Sequence, residues 1–121
     1  MVVIKSNTEI EKMRKAGEIT AGALKAAEEA IRVGMTTHEL DTIIRKYITS
    51  HGAKPSFLGY GGFPASACIS INDEVIHGIP GPRKIEDGDI VSVDVGAYIN
   101  GYNGDSAKTF AVEMFRKKHL N

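Results

Sequence analysis

The hydrophobic pattern of the chain changes its period once, near Gly52. Before that point, apolar residues recur every three or four positions, as on one face of a helix. After it, short runs alternate between apolar and polar residues, as strands do, and glycine and proline become frequent. Helices that are segregated from strands favour an α+β fold, with the helices covering one face of a largely antiparallel sheet. The 121 residues suffice for one hydrophobic core, since a single domain has about 100–150 residues.

Two amphipathic helices are predicted in the first part of the chain. The first runs from Asn7 or Thr8 to about Val33. The second starts at the capping-box pair Thr36 and Glu39 and ends before Gly52. The predicted apolar stripes consist of Ile10, Met13, Ala16, Gly17, Thr20, Leu24, Ala27 and Ile31 in the first helix, and of Leu40, Ile43, Ile44, Tyr47 and Ile48 in the second.

Three strands are predicted in the second part, in the runs "ACISIN", "DIVSVDVGAYI" and "DSAKTFAVEMF". The segments "GYGGFPAS" and "HGIPGPRKIEDGD" are predicted to be connections. No linker separates the helical part from the strands, and each part needs the other to bury its apolar face. One folded unit is therefore expected.

Charge and cysteine content limit the partners and the compartment. Fifteen basic residues balance fifteen acidic ones, so no overall field draws the chain to nucleic acid or to an anionic membrane. The lone Cys68 cannot form an internal disulfide, and the first residues lack the apolar run of a signal peptide. We expect a soluble protein of the cytoplasm.

Asp94 and Asp105 lie on either side of the dipeptide Asn100-Gly101. Asn-Gly is the strongest short-range signal for a two-residue hairpin, because a type I′ turn needs positive φ at both positions. Such a turn places Asp105 opposite Gly96, two positions from Asp94. The two carboxylates then share one face as diagonal neighbours, with Cα atoms about 7–8 Å apart.

Two carboxylates this close repel each other unless one is protonated or a cation lies between them. With imidazole, carboxylates suit Mn, Fe, Co or Zn, and paired metals activate water for hydrolysis. Two alternatives remain open from the residues alone. Asp94 and Asp105 can instead cap turns or pair with basic residues on a solvated face. A turn at Asn103-Gly104 would leave Asp105 beside the turn and separate the carboxylates.

Four other residues are candidates for a binding site. His77, before a Gly-Ile-Pro turn, can serve as a hydrogen-bond donor, proton carrier or ligand, or can be structural. Cys68 reads by default as a small buried hydrophobe. The run "GYGGFP" lacks the Gly-Lys-Ser/Thr ending of a phosphate loop. Its glycines are instead expected to let Tyr60 and Phe63 fold over a pocket.

Together these runs resemble a known family. The segments "FLGYGGFPASACISINDEVIHGIPG" and "GDIVSVDVGAYINGYNGDSAKTF", with "EIEKMRKAGEI" and "ELDTIIRKYI" before them, look like the N-terminal half of a type I methionine aminopeptidase, over about residues 1–112. The resemblance implies a pita-bread fold, in which two related α/β halves enclose a dinuclear metal site. It also implies removal of the initiator methionine from nascent proteins.

The resemblance implies roles for six residues. Asp94 matches the first metal-binding aspartate, and Asp105 matches the aspartate that bridges both metals. His77 matches the histidine that contacts the scissile peptide. Tyr60, Phe63 and Cys68 match positions that line the pocket for the methionine side chain. The implied cofactors are two divalent ions (Co, Mn, Fe or Zn), and the implied partner is a peptide with an N-terminal methionine.

The chain also departs from the family. The family's catalytic domain is about twice as long, and its remaining ligands, one histidine and two glutamates, lie in the second half. Residues 113–121, "EMFRKKHLN", are predicted to form a divergent charged tail. We therefore expect weak metal binding and poor hydrolysis by this chain alone.

Several alternatives to a complete enzyme stay open. The chain can be an inactive truncated remnant or an interaction module. It can also need a separate C-terminal half, or form a homodimer in which a second copy replaces that half. Proline-specific aminopeptidases share the fold and the paired aspartates, but they usually carry a large extra N-terminal domain.

Overall fold

The computed structural model describes residues 6–72 and 78–114. In this part of the chain, two helices precede one antiparallel sheet. The helices are α1 (Asn7–Ala30) and α2 (Thr37–Ser50), and the strands are β1 (Lys54–Pro55), β2 (Ala67–Ile71), β3 (Ile90–Ile99) and β4 (Tyr102–Ala111). A short 3-10 turn, Tyr60–Gly62, lies between β1 and β2. The predicted α+β architecture is confirmed.

The sheet is built around β3. On one side β3 pairs with β1 and β2, and on the other side with β4. The sequence pattern missed the two-residue β1, and it predicted β4 to begin at Asp105, although the strand begins directly after the hairpin turn and ends at Ala111. Because a two-residue turn leaves no loop, the polar residues before Asp105 are already in the ladder.

Both helices begin with a capping box. Thr36 and Glu39 exchange the predicted bonds, with the Thr36 N–H 2.8 Å from the Glu39 carboxylate and the Glu39 N–H 3.0 Å from the Thr36 hydroxyl. Ser6 and Glu9 form a second box that the sequence reading did not identify. Each box provides acceptors for two backbone N–H groups that have no hydrogen-bond partner within the helix.

α1 ends at Ala30, three residues earlier than predicted. The residues that follow it form backbone hydrogen bonds with a distant part of the chain. The Gly34 N–H donates to the Ile85 carbonyl and the Ile85 N–H donates to the Met35 carbonyl, both at 2.8 Å. This pairing competes with further helical turns, and a local pattern does not reveal it.

The apolar stripe of α1 was predicted to include its first turns, and there the prediction is wrong. Ile10 and Met13 are 42% and 41% exposed. The first turn of α1 lies near the end of the sheet, since the Tyr102 hydroxyl at the start of β4 donates to Glu9. The sheet therefore offers little surface for these turns to cover. The buried residues of α1 are Ala16, Ile19, Thr20, Ala23, Leu24 and Ala27.

The core lies between the helices and one face of the sheet. Val91, Val93, Val95 and Ala97 alternate along β3 and are all buried in it. We call the opposite side the outer face. No helix in the described residues is long and apolar enough to cross a membrane.

Candidate metal centre

The turn at Asn100-Gly101 sets the register of the site. Both residues have positive φ, 55° and 85°, as a type I′ hairpin requires. Gly96 consequently pairs with Asp105. The predicted register is confirmed, and the alternative turn at Asn103-Gly104 is wrong.

Asp94 and Asp105 share the outer face. Asp94 pairs with Ala107 on β4, two positions along from Asp105, so the carboxylates are diagonal neighbours, and the separation expected between their Cα atoms is about 7–8 Å. Asp94 is half-buried and its Oδ1 atom is shielded from solvent, whereas Asp105 is exposed. No lysine or arginine within residues 6–72 and 78–114 forms an ion pair with Asp105. The alternative in which basic residues neutralise this aspartate has no support in the described structure.

Cys68 lies directly beside Asp94. The two residues are paired across β2 and β3, and together they line a groove of about 450 Å³ on the outer face. Burial raises the pKa of the Cys68 thiol, and the charges of Asp94 and Asp105 raise it further. Near neutral pH the side chain is therefore a protonated thiol, which behaves as a small, polarisable apolar group.

The aromatic residues lie on the other side of the carboxylates. Tyr60 and Asp105 line a second groove of about 370 Å³, and Tyr60 is 82% exposed. Phe63 packs edge-on against Phe57, with ring centroids 6.4 Å apart. Tyr60 thus lies near Asp105 and Cys68 near Asp94, while Phe63 supports a neighbouring ring.

Phe57 is a residue of this groove that the sequence analysis missed. It lies over Gly96, where a Cβ atom would come within 3.1 Å of the Phe57 ring and 3.0 Å of Ser56. The Ser56 N–H donates to the Gly96 carbonyl at 3.0 Å, and the Ser56 hydroxyl donates to Asn103 at 2.8 Å. The available signal was the glycine inside a strand, which often marks the close approach of another segment.

His77 lies outside the described residues, so its predicted role stays a prediction. Among the residues that are described, no three histidine, cysteine, aspartate or glutamate side chains are grouped so as to hold a metal ion. Asp94 and Asp105 offer the oxygen donors that divalent cations bind, on one face and side by side. Catalytic zinc usually has three protein ligands, so these two carboxylates fit part of a metal centre and need further donors.

Comparison with known proteins identifies the family. The sequence model of metallopeptidase family M24 matches residues 11–121. The methionine aminopeptidase of Clostridium perfringens is 53% identical over 112 residues, which are 93% of this chain and 45% of that protein.

Solved structures agree with the sequence match. The crystal structure of methionine aminopeptidase from Rickettsia prowazekii matches with a TM-score of 0.87 and 38% identity, over 93% of this chain and 46% of that one. A prolidase from Pyrococcus furiosus matches with a TM-score of 0.78 and 33% identity, over 96% of this chain and 33% of that one. The predicted fold, half of a pita-bread domain, is confirmed. The chain spans less than half the length of these relatives, and it belongs to metallopeptidase family M24.

Proposed function

We propose that the chain forms part of a methionine aminopeptidase active site and acts in the cytoplasm on peptides with an N-terminal methionine. The observation that carries this proposal is the hairpin register, which brings Asp94 and Asp105 together on the outer face. In this proposal Asp94 and Asp105 would be ligands of divalent metal, with the bridging role that the resemblance implies for Asp105. Bound divalent metals would polarise the scissile carbonyl and activate water.

The chain's own residues supply the binding surface. Tyr60, Phe63 and Cys68 are proposed to hold the methionine side chain, for which aromatic rings and a thiol are suitable partners, because a thioether makes favourable contacts with soft and aromatic groups. Phe57 belongs to the same wall by its contact with Phe63. His77 is proposed to contact the peptide next to the bond that is cleaved.

A complete centre needs donors beyond the two aspartates. The family resemblance assigns one histidine and two glutamates to the other half of the domain. We propose that these ligands reach the site from that half, either in the same polypeptide or as a separate partner. A second copy of this chain is the alternative source, and it would bring aspartates without the family's histidine ligand.

The experiment measures metal binding and methionine release side by side. Co(II) or Mn(II) affinity and cleavage of a Met-Ala-Ser peptide are compared for the parent protein, Asp94→Asn and Asp105→Asn. Each substitution should weaken metal binding at least about tenfold, since even residues that only support a ligand cost 10–100-fold. Glu29→Gln, on an exposed position of α1, removes one carboxylate elsewhere and should change neither quantity.

Solution mass separates the possible sources of the other ligands. The proposed centre is refuted if the two aspartate variants bind metal as tightly as the parent protein. Turnover by a monomer of this chain would exclude both a second copy and a separate half. If turnover requires a dimer, the second-copy alternative replaces the proposal.

A further inference from the structure

A buried carboxylate behind the candidate site ties α2 to the start of β2. Asp41 lies on α2 with its side chain 1% exposed. Its Oδ1 atom accepts hydrogen bonds from the backbone N–H groups of Ser66, at 3.0 Å, and Ala67, at 2.8 Å. Its Oδ2 atom lies 3.4 Å from the guanidinium of Arg45, and Arg45 Nε donates to the Ser66 hydroxyl at 2.9 Å. These bonds converge on the two residues that precede Cys68.

Stability alone does not explain a carboxylate at this position. Burial raises the pKa of Asp41 even though the Ala67 and Ser66 N–H groups and the charge of Arg45 act against it. A buried ion pair is often no more stabilising than apolar side chains of similar volume. A carboxylate does fix the orientation of the backbone, because the N–H groups of two successive residues must both point toward one oxygen. In a regular strand successive N–H groups point to opposite sides, so this arrangement sets where β2 begins.

The position where β2 begins affects candidate site residues both after it and before it in the chain. Ala67 is the first residue of β2, and the next residue, Cys68, pairs with Asp94. The segment before Ser66 carries Tyr60 and Phe63. A shift at Ser66 therefore moves the thiol and the aromatic residues relative to the carboxylates.

We propose that Asp41 is a positioning residue of the candidate site, which holds the start of β2 so that Cys68 stays opposite Asp94. The link to substrate binding rests on the proposed function, whereas the positioning itself has a separate readout. Asp41 does not touch the outer face, since it acts from α2 through the backbone of Ser66 and Ala67.

The test compares local opening at β2 with loss of global stability. Asp41→Ala removes the acceptor, and Asp41→Asn keeps an oxygen that can accept the same two bonds. Ile19→Ala is the matched control, because it destabilises the core from α1, which contacts β4, α2 and β3, whereas β1 and β2 are contacted by α2. Urea unfolding gives the global stability of each variant.

Two measurements report on the start of β2. Amide hydrogen exchange is followed at Ser66 and Ala67, and alkylation by iodoacetamide at one pH is followed at Cys68, the single cysteine of the chain. At equal loss of global stability, amide exchange at Ser66 and Ala67 and alkylation of Cys68 should each be about tenfold faster in Asp41→Ala than in Ile19→Ala. In Asp41→Ala the acceptor of two buried N–H donors is lost, so the start of β2 opens locally. Asp41→Asn should remain within about threefold of the parent chain.

The positioning role is overturned if Asp41→Ala opens β2 no faster than the α1 control. If Asp41→Ala does not fold, Arg45→Met decides, because it removes the Ser66 hydroxyl bond from a side chain that is 41% exposed. It should accelerate exchange at Ser66 several-fold, and parent rates would overturn the proposal.

Peptide cleavage adds a third readout wherever the parent protein is active. Asp41→Ala or Arg45→Met should raise KM for Met-Ala-Ser and leave kcat within about twofold, since binding geometry changes and the metal carboxylates stay in place. An unchanged KM despite faster exchange would refute the link to the substrate pocket. If this chain alone cleaves nothing, as expected without the other half of the domain, exchange and alkylation still decide the role of Asp41. The proposed function fails separately, if Asp94→Asn and Asp105→Asn leave the metal affinity unchanged.

Discussion

Gly104→Ala tests a close approach between α1 and β4. A Cβ atom at position 104 would lie 2.5 Å from both the carbonyl carbon and the carbonyl oxygen of Ala16 on α1. Carbon atoms in good contact are about 3.5–4.0 Å apart. The added methyl group would therefore force α1 and β4 apart by about 1 Å, and both partners are backbone, which has no rotamer by which to move aside.

The expected loss of stability follows from two opposed effects. Overpacking in a close-packed interface costs about 1–3 kcal/mol. Replacing glycine by alanine also restricts the unfolded chain, which offsets about 0.4–1 kcal/mol of this loss of stability. Gly104→Ala should therefore lower the free energy of unfolding by about 1–2 kcal/mol, an appreciable part of the 5–15 kcal/mol typical of a domain.

Gly17→Ala is the matched control at the same contact. Gly17 lies in α1, and among the described residues a Cβ atom there would meet no atom within 4 Å apart from its chain neighbours and the backbone of its own helix. Because alanine is favoured over glycine in a helix, this substitution should stabilise the protein by about 0.5–1 kcal/mol. Urea unfolding should show the midpoint falling for Gly104→Ala and rising for Gly17→Ala, with the slope unchanged. A Gly104→Ala midpoint at or above that of the parent chain would refute the close-contact reasoning.

Acid should destabilise the protein partly through Asp89, whose pKa is lowered from its ordinary value of 3.8 chiefly by the backbone N–H of Glu86. The folded state then binds fewer protons than the unfolded state, so this stability is present above about pH 4 and is lost as the pH falls. Asp89→Asn should flatten the pH dependence of urea unfolding below about pH 4, and a parent-like slope would contradict this. At Gly101, where φ is 85°, valine should cost about 1–2 kcal/mol and asparagine less, because asparagine tolerates this region. Equal urea midpoints for these two variants would argue against turn strain.

Local signals predicted the parts of the structure that local chemistry determines. Asn100-Gly101 needs only its own backbone preference to form the turn, and the turn alone fixes the partners of Asp94 and Asp105. The capping box of α2 is likewise contained within four residues. In contrast, the early end of α1 depends on Ile85, and the position of Phe57 depends on Gly96. These contacts join residues about forty or more positions apart, and hydrophobic periodicity in one window carries no information about them.

The geometry of the candidate site is maintained by residues on the other face of the sheet. Successive side chains of β3 alternate between faces, so a shift of the register by one residue would expose Val93 and Val95 and turn Asp94 into the core. Burying an apolar side chain stabilises by about 1.5–3 kcal/mol, and burying an unpaired carboxylate is strongly unfavourable. The core therefore fixes where Asp94 lies, with no help required from a ligand. It follows that Asp94→Asn should leave the fold intact, so that a loss of metal affinity in this variant reports on the carboxylate itself.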